Sequence, residues 1–472
     1  MLTFYFLCLT GLWFVYDRLI LSPLGKLRGP NLAAATRLVL MYYEFTGRRR
    51  EWIHALHMKY GPVVRIAPDE VSFATWDAVK EIYVTDGSGY DKPPFYRLFD
   101  NYRTQCMFST LGKGPHGERK KLFAEKYSKS YIMQPHTVSG IQERAEQFVE
   151  KCTENLGAAA DIYFYAHCYA LDCITYHLFD PYGTRSLTEA VDQLRVKELS
   201  YDDGLHISYL QHYFPVVYPY ISRFFEPTTR RRDAAIASRV LDISRRTDIA
   251  SHTVLHKLQE VEDETTPNGI ASELLDNAIA GIDTTGDGLC FLLYHLSLPG
   301  TADVQEKLHK ELVSNPTMPL DDLPYLDAVV KEGLRCFAPI PMSLPRKVPK
   351  GGRTIAGEFV PEDTIVSCQA YTLHRLDTAV FDDAEMFVPE RWLKSKGAVD
   401  RNQLFFAFST GGRGCIGKHL ALLEMKMLLK EIYTTCRTSV APEMKASMEL
   451  HDQIMSSRPK GQKCLIKFEK IE

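Results

Sequence analysis

Toward its C-terminal end the chain reads FSTGGRGCIG, Phe408 to Gly417: a lone cysteine among four glycines, two residues after an arginine and just ahead of a run with helical periodicity. A cysteine becomes a good ligand only as a thiolate, and the N–H groups of a Gly-rich turn at a helix N-terminus stabilise that charge. Gly411, Gly412, Gly414 and Gly417 permit close backbone approach, and IGKHLALLEMKMLLKEIYTTC has the apolar spacing of a helix buried on one face. A buried thiol in a tight turn is the ordinary alternative for a single cysteine. Here that alternative must also account for the pattern F-x-x-G-x-R-x-C-x-G, filled by Phe408, Gly411, Arg413, Cys415 and Gly417. Five fixed positions coincide by chance at roughly one start in several million.

Composition narrows the rest. A chain of 472 residues has room for a large core, and a net charge of −3 gives no global electrostatic reason for a nucleic-acid partner. The local basic clusters, Arg48 to Arg50 and Arg230 to Arg232, read as solvated faces, with contact to anionic lipid the alternative. The eleven cysteines are odd in number, with no CxxC pair, which argues against a disulfide framework or a structural zinc site and for a reducing compartment.

The opening run MLTFYFLCLTGLWFVY, which meets its first charges at Asp17 and Arg18, is slightly short of the about 20 apolar residues of a full span. A basic start and a small-residue cleavage site are both missing, so a retained N-terminal membrane anchor over 1–21 is favoured over a cleaved signal peptide. Arg18, Lys26 and Arg28 then leave the rest of the chain on the cytosolic side. SPLGKLRGP, residues 22–30, reads as a stiff Pro/Gly connector.

Over 31–472 the pattern predicts one domain, mainly α with a smaller β portion. Strands fall at Val63 to Ile66 and after the turn at Pro68, a helix starts near Thr75, and helical spacing dominates from Gly117 until Gly351 to Cys368. The acidic stretch Glu260 to Gly269 reads as a loop.

Three further constellations carry chemistry. In KEGLR, Glu332 and Arg335 are three apart and share a helix face, and PERW places Arg391 between them and the cysteine. AGIDTT, Ala280 to Thr285, sits inside an apolar helical run from about Ile270 to Leu298, where Asp, Gly and Thr weaken a helix centre. Read alone, Asp283 facing water and Thr284 bonding back to its own turn would explain it. Last come His116 with Lys120 and Arg346 in SLPR, for which a solvated basic face is the plain alternative.

Together the cysteine motif, ExxR, PERW and AGIDTT resemble the signatures of the cytochrome P450 family, in the family's order and over almost the whole chain. The resemblance implies the P450 fold, a helix-rich single α+β domain, with haem b (Fe-protoporphyrin IX) whose iron takes the Cys415 thiolate. It implies that Phe408 packs beside the sulfur, with Gly411 and Gly417 in the same haem-binding loop. Arg413, His116, Lys120 and Arg346 would serve the propionates. One departure is Lys120, where relatives usually have Arg, with Arg119 beside it; lysine lacks the bidentate fork, so either of the two is a candidate for the contact. Glu332, Arg335 and Arg391 would form a buried structural network, Gly281 would let its helix approach bound oxygen, and Asp283 with Thr284 would relay protons.

The implied activity is that of a monooxygenase fed with electrons from NADPH by a separate partner, NADPH–cytochrome P450 reductase, for which a basic face would serve as docking surface. VVRIAPDEVSF, LHRLDTAVFDDAEMFVPERW and the N-terminal segment look most like the membrane-bound fungal branch, many of whose members act in secondary metabolism. That branch implies a monomer at the endoplasmic reticulum membrane, and neither it nor the charge suggests a nucleic-acid partner. By resemblance the substrate pocket is lined by Tyr90 to Met107, Leu205 to Phe225, the Ala280 face and Pro339 to Leu344. The aromatics Tyr96, Phe99, Tyr102, Phe108 and Tyr209 suggest a small apolar or aromatic substrate, though they suit ordinary core equally. Aryl coupling, ring closure or epoxidation on the same scaffold, and a haem carrier without turnover, are the alternatives.

Overall fold

The 30-residue helix that carries AGIDTT is the axis of the molecule. In the computed structural model the described residues are Thr10, Trp13, 16–154, 157–201, 208–221, 236–261 and 266–471. Most of the N-terminal apolar run, the basic triplet at 230–232, parts of the 205–225 segment and the centre of the acidic stretch lie outside them. Among the described residues no helix is long and apolar enough to cross a membrane.

The chain begins with helices α1 (Leu38–Phe45) and α2 (Arg49–Tyr60), followed by an antiparallel pair, β1 (Val63–Ala67) and β2 (Glu70–Phe73). The helix expected near Thr75 starts there because the Thr75 hydroxyl accepts the Ala78 N–H, satisfying a donor that the first helical turn leaves open. Next come α3 (Lys113–Lys121), α4 (Pro135–Thr153), the short β3 (Ala159–Asp161) and α5 (Ile162–Phe179). The long helix is α6 (Pro267–Leu296), capped by Thr266, whose hydroxyl accepts the Gly269 N–H, with Pro267 in the first turn where no N–H is needed. Helix α7 (Pro324–Cys336) carries KEGLR.

Strands β4 (Arg346–Lys347), β5 (Arg353–Ile355), β6 (Glu358–Val360) and β7 (Ile365–Cys368) follow, and α8 (Lys418–Thr435) starts directly after the cysteine motif. The chain ends in β8 (Cys436–Val440), β9 (Leu450–Asp452), β10 (Ser457–Pro459) and β11 (Leu465–Lys470). The sheets are small: β1-β2-β7-β4, with β2 and β7 parallel; β3-β11-β8; and the two hairpins β5-β6 and β10-β9.

The main core lies among α4, α5, α6, α7 and α8, and a second apolar cluster lies under the four-stranded sheet. Helix α5 is buried on nearly every side, which is why its sequence lacks a polar face. It can lie close against α6 because Gly281 has no side chain: a Cβ there would come within 2.6 Å of Ile174. The resemblance assigned Gly281 to oxygen approach, whereas the structure turns its open side toward Ile174 of α5.

Glu332 is the polar centre of the helical half. Its Oε1 accepts from Arg335 Nη2 at 2.9 Å, Arg391 Nε at 3.0 Å and the Val388 N–H at 2.9 Å. Its Oε2 accepts from Arg335 Nε and Trp392 Nε1, both at 2.9 Å. Arg335 extends the network to the carbonyls of His374, Ala384 and Met386. His374 Nδ1 then meets the Arg335 carbonyl while its Nε2 accepts the Phe406 N–H, two residues ahead of Phe408. Burial pushes the His374 pKa down to about 3, so the ring stays neutral and keeps one donor and one acceptor.

Removing a partner from such a network leaves buried charge uncompensated, at about 3–5 kcal/mol. The expected outcome for Glu332→Ala is a large loss of soluble, folded protein and a marked drop in thermal midpoint; a midpoint close to that of the unaltered chain would contradict this role.

Candidate active site

The loop before α8 is tied at both ends. The Cys415 N–H donates to the Phe408 carbonyl at 2.9 Å, and the Gly414 N–H to the Gly411 carbonyl at 3.0 Å. Gly411 adopts φ 70°, and a Cβ there would lie 2.0 Å from the Tyr83 carbonyl oxygen, so only glycine fits this turn. Gly417 is less constrained, since a Cβ there would meet Cys415 Sγ at 3.9 Å, an ordinary contact.

Cys415 is the one exposed cysteine among those described. Burial nevertheless raises its pKa, while the N–H groups of Gly417 and Lys418, at the start of α8, and the charges of Lys120 and Lys418 pull it down. Accessibility and burial are compatible for a thiol enclosed by protein that opens onto an interior space. The Phe408 ring stands beside the loop, packed against the main core.

Around this loop lies a group of buried cations. Arg346 is 2 % exposed and Arg413 7 %, and in both the Nε and Nη1 atoms have no hydrogen-bond partner. Arg413 Nη2 donates to the Leu111 carbonyl at 2.9 Å and lies 3.6 Å from Asp91, the one carboxylate paired with this group among the described residues. Burial, with Arg346 next, holds its pKa down at about 10. His116 is pushed down to about 3 by burial and then by Lys92, Arg413, Lys120 and Arg346, which places it among them as a neutral ring.

The two cations at the end of α3 divide their tasks. Arg119 is held elsewhere, on Glu273 at 2.8 Å and the Gln105 carbonyl at 2.7 Å. Lys120 reaches the loop itself, donating to the Gly412 carbonyl at 2.9 Å.

Lys92 belongs to the same group, and the sequence placed it only within the pocket-lining stretch Tyr90 to Met107, with no role of its own. It is 5 % exposed, donates to the Phe108 carbonyl at 2.5 Å, and lies over the Tyr96 and Phe108 rings at 4.5 and 4.3 Å. Burial, then Arg346 and Arg413, lowers its pKa well below the ordinary lysine value. Several cations enclosed with one paired carboxylate between them are costly unless an anion joins them.

The AGIDTT segment has a partly open face. Ala280 is exposed and Thr284 partly so, while Ala278, Ile282 and Thr285 are buried, so one stripe of α6 opens inward. Thr284 Oγ1 donates to the Ala280 carbonyl at 2.7 Å, the back-bond that a threonine in a helix often makes. Asp283 Oδ1 accepts from Ser200 Oγ at 3.3 Å. The acid and the alcohol are sequence neighbours on one helix face, and each is held by its own partner.

A thiol with N–H donors, facing a space bordered by orphaned guanidinium groups, fits a haem, whose iron takes the thiolate and whose two propionates supply the missing anions. Comparison with known proteins agrees. The sequence profile of the cytochrome P450 family matches residues 29–466, and the chain belongs to that family. It is a monooxygenase of the oxidoreductase class. It is 31 % identical to cytochrome P450 monooxygenase stcB of Emericella nidulans, over 94 % of this chain and 88 % of that protein. It is 27 % identical to the fusicoccadiene 8-ol C-16 hydroxylase of Alternaria brassicicola, over 89 % and 88 %, and 26 % identical to cytochrome P450 monooxygenase aflV of Aspergillus parasiticus, over 99 % and 97 %.

If Lys92 and Arg346 contact a propionate, Lys92→Met and Arg346→Leu each remove a charge-assisted hydrogen bond, worth about 1.5–3 kcal/mol, or roughly tenfold or more in affinity. Haem transfer to excess apomyoglobin should accelerate about tenfold in each variant. Rates equal to those of the unaltered protein would exclude the contact.

Proposed function

We propose that the protein is a haem-thiolate monooxygenase that places one atom of molecular oxygen into a small, mainly apolar organic substrate in fungal secondary metabolism. Electrons come from NADPH through a separate NADPH–cytochrome P450 reductase. The observation that carries this reading is the pairing of an enclosed but accessible Cys415 thiol with the orphaned Arg346 and Arg413 side chains.

When bound, the haem supplies the oxidising chemistry, and thiolate ligation favours O–O cleavage. The chain's own residues supply placement and protons. Cys415, backed by the Gly417 and Lys418 N–H groups, would hold the iron through its sulfur. Arg413, Arg346, Lys92 and Lys120, with neutral His116, fix the propionate edge. Phe408 holds the loop through its carbonyl, which accepts the Cys415 N–H. On α6, the Thr284 hydroxyl gives its proton to the interior only after leaving the Ala280 carbonyl, a rotation about a single side-chain bond. The Asp283 carboxylate, which accepts from Ser200, would take up a proton from solvent water and return it to the emptied hydroxyl oxygen.

The substrate side is supported by the aromatic cluster of Phe95, Tyr96 and Tyr209, with Phe99 and Phe108 against it. The name of the Alternaria relative describes oxidation of a hydroxylated hydrocarbon, which agrees with a mostly apolar guest. Coupling, ring closure and epoxidation use the same residues and remain the second reading; a carrier without turnover has no need of an acid beside an alcohol.

A retained N-terminal anchor at the endoplasmic reticulum, with the catalytic domain on the cytosolic side, is part of the same proposal. Its support is a set of exposed apolar side chains on two neighbouring segments. Leu38 and Tyr42 on α1 and Phe214, Val216 and Tyr220 beyond the helix Ser208–Tyr213 are exposed, and the Phe45 and Tyr209 rings, 5.9 Å apart, join the two segments. Such side chains suit a bilayer surface.

The deciding experiment is the absorption spectrum of the reduced, carbon-monoxide-bound protein. The long-wavelength Soret band of thiolate ligation is expected, and Cys415→Ala should lose it. Folded protein with haem but without that band would refute the assignment. With reductase and NADPH, Thr284→Ala should release a several-fold larger share of the reducing equivalents as hydrogen peroxide; an unchanged share would remove Thr284 from proton delivery.

A further inference from the structure

Most buried carboxylates in this protein are matched by donors, although one oxygen each of Asp287 and Glu424 has no hydrogen-bond partner among the described residues. Glu44 meets Arg49, Asp452 meets Arg50, Glu273 meets Arg119 and the Met107 N–H, and Asp172 accepts from Thr184, Ser186 and the Leu187 N–H. Asp276 differs. Its one hydrogen-bonding neighbour is the Cys106 thiol, a weak donor, and it forms no ion pair among the described residues, while the charges of Glu273 and Lys92 act on it from further away.

Asp276 stands four residues before Ala280 and eight before Thr284, so the three share the stripe of α6 that opens inward. It is partly accessible while Leu274, Leu275, Asn277 and Ala278 around it are buried. The facing wall is the loop over 101–108. The Asn101 side chain donates to the Ser272 carbonyl, Ser272 Oγ to the Thr104 carbonyl, and the Cys106 thiol reaches the Phe99 carbonyl at 3.6 Å. Phe99 and Phe108, with centroids 5.1 Å apart, bring the aromatic cluster to the same place. A partly accessible carboxyl group beside an aromatic cluster, with a thiol as its one hydrogen-bonding neighbour and the charges of Glu273 and Lys92 near it, is the kind of sparse polar point that fixes the orientation of an otherwise apolar ligand.

We propose that Asp276 receives a hydroxyl or ammonium group of an otherwise apolar substrate and thereby sets which carbon lies beside Ala280 and Thr284. This rests on the monooxygenase reading and adds a chemical class to it. The helical rise places the polar anchor about 6 Å along the axis from Ala280 and about 12 Å from Thr284, so the substrate carries its donor on a different part of the skeleton from the oxidised carbon. Burial and then Glu273 push the Asp276 pKa up to about 7, with the Cys106 thiol and Lys92 pulling it down; Tyr127 also faces it. A hydroxyl can bind either protonation state. A cation needs the ionised form, so its binding weakens as pH falls through about 7.

The test uses the full-length haem protein and three probes of one shape: adamantane, adamantanol and adamantyl-trimethylammonium, whose quaternary nitrogen cannot ligate iron. Binding is read by the ferric Soret shift and independently by calorimetry. At least one polar probe is expected to bind about tenfold tighter than adamantane, and Asp276→Ala should abolish that preference. A preference lost below about pH 7 identifies the cation, and one that persists identifies the hydroxyl. The same affinity order in Asp276→Ala as in the unaltered protein, or no binding of either polar probe, overturns the proposal. The carbon-monoxide spectrum of both proteins keeps the two readings apart: loss of the thiolate band in the unaltered protein would sink the monooxygenase reading, while calorimetry would still report on Asp276.

Discussion

Both oxygens of Glu332 are saturated by donors from separate parts of the chain, and the placement of the cysteine loop depends on that. Arg335 comes from the same helix, whereas Arg391, Trp392 and the Val388 N–H come from the segment leading toward the loop. A carboxylate that is 0 % exposed is tolerable only with this number of donors. Satisfying it therefore fixes the irregular stretch after β7 against α7, where little regular structure would otherwise hold it. His374 continues the connection by accepting the Phe406 N–H, so the entry to Phe408 is set by a neutral imidazole anchored on Arg335. The rigidity of the cysteine loop is thus inherited from a charge network on its far side.

The site itself is built on the opposite principle. Arg346, Arg413, Lys92 and Lys120 are drawn together with Asp91 as the one paired carboxylate among the described residues and Asp276 acting more weakly on Lys92, and the depressed His116, Lys92 and Arg413 record the mutual repulsion added to burial. Folding energy is spent to hold cations where an anion is to sit, which is how a preorganised site lowers the reorganisation needed on binding. Glu332 makes the frame rigid by complete pairing, and the cradle is receptive because its pairing is incomplete.

This contrast explains what was legible in the sequence. The Cys415 loop is a local pattern, and its glycines, arginine and cysteine act through neighbours within ten residues. Glu332 and Arg335 were readable from helical spacing, and Arg391 from its place in PERW. The helix start near Thr75 was readable, whereas Thr266 and the first turn from Pro267 fell inside the stretch Glu260 to Gly269 that read as a loop. The roles of Lys92 and Asp276 were not readable, because a lysine in DKPP or an aspartate in LLDNA gains its meaning only when distant segments bury it. Gly281 shows the converse: its motif suggested an approach to a ligand, while the packed structure gives its open side to Ile174 on α5, a contact between residues more than a hundred positions apart. Arg119 and Lys120, equivalent in sequence, are separated by where Glu273 lies on α6.

Helix α6 gathers these strands into a single element. Its buried side packs on α5, and its inward stripe presents Asp276, Ala280 and Thr284 one turn apart. A straight helix in a tight core cannot shift one of these without the others, because Gly281 against Ile174 and Gly286 against the His167 ring leave no room for sliding. The distance between a polar anchor at Asp276 and a proton donor at Thr284 is then a fixed property of the backbone. Regiochemistry on such a scaffold is set by where the guest's polar group falls along its skeleton, while the reactivity stays with the thiolate-bound cofactor.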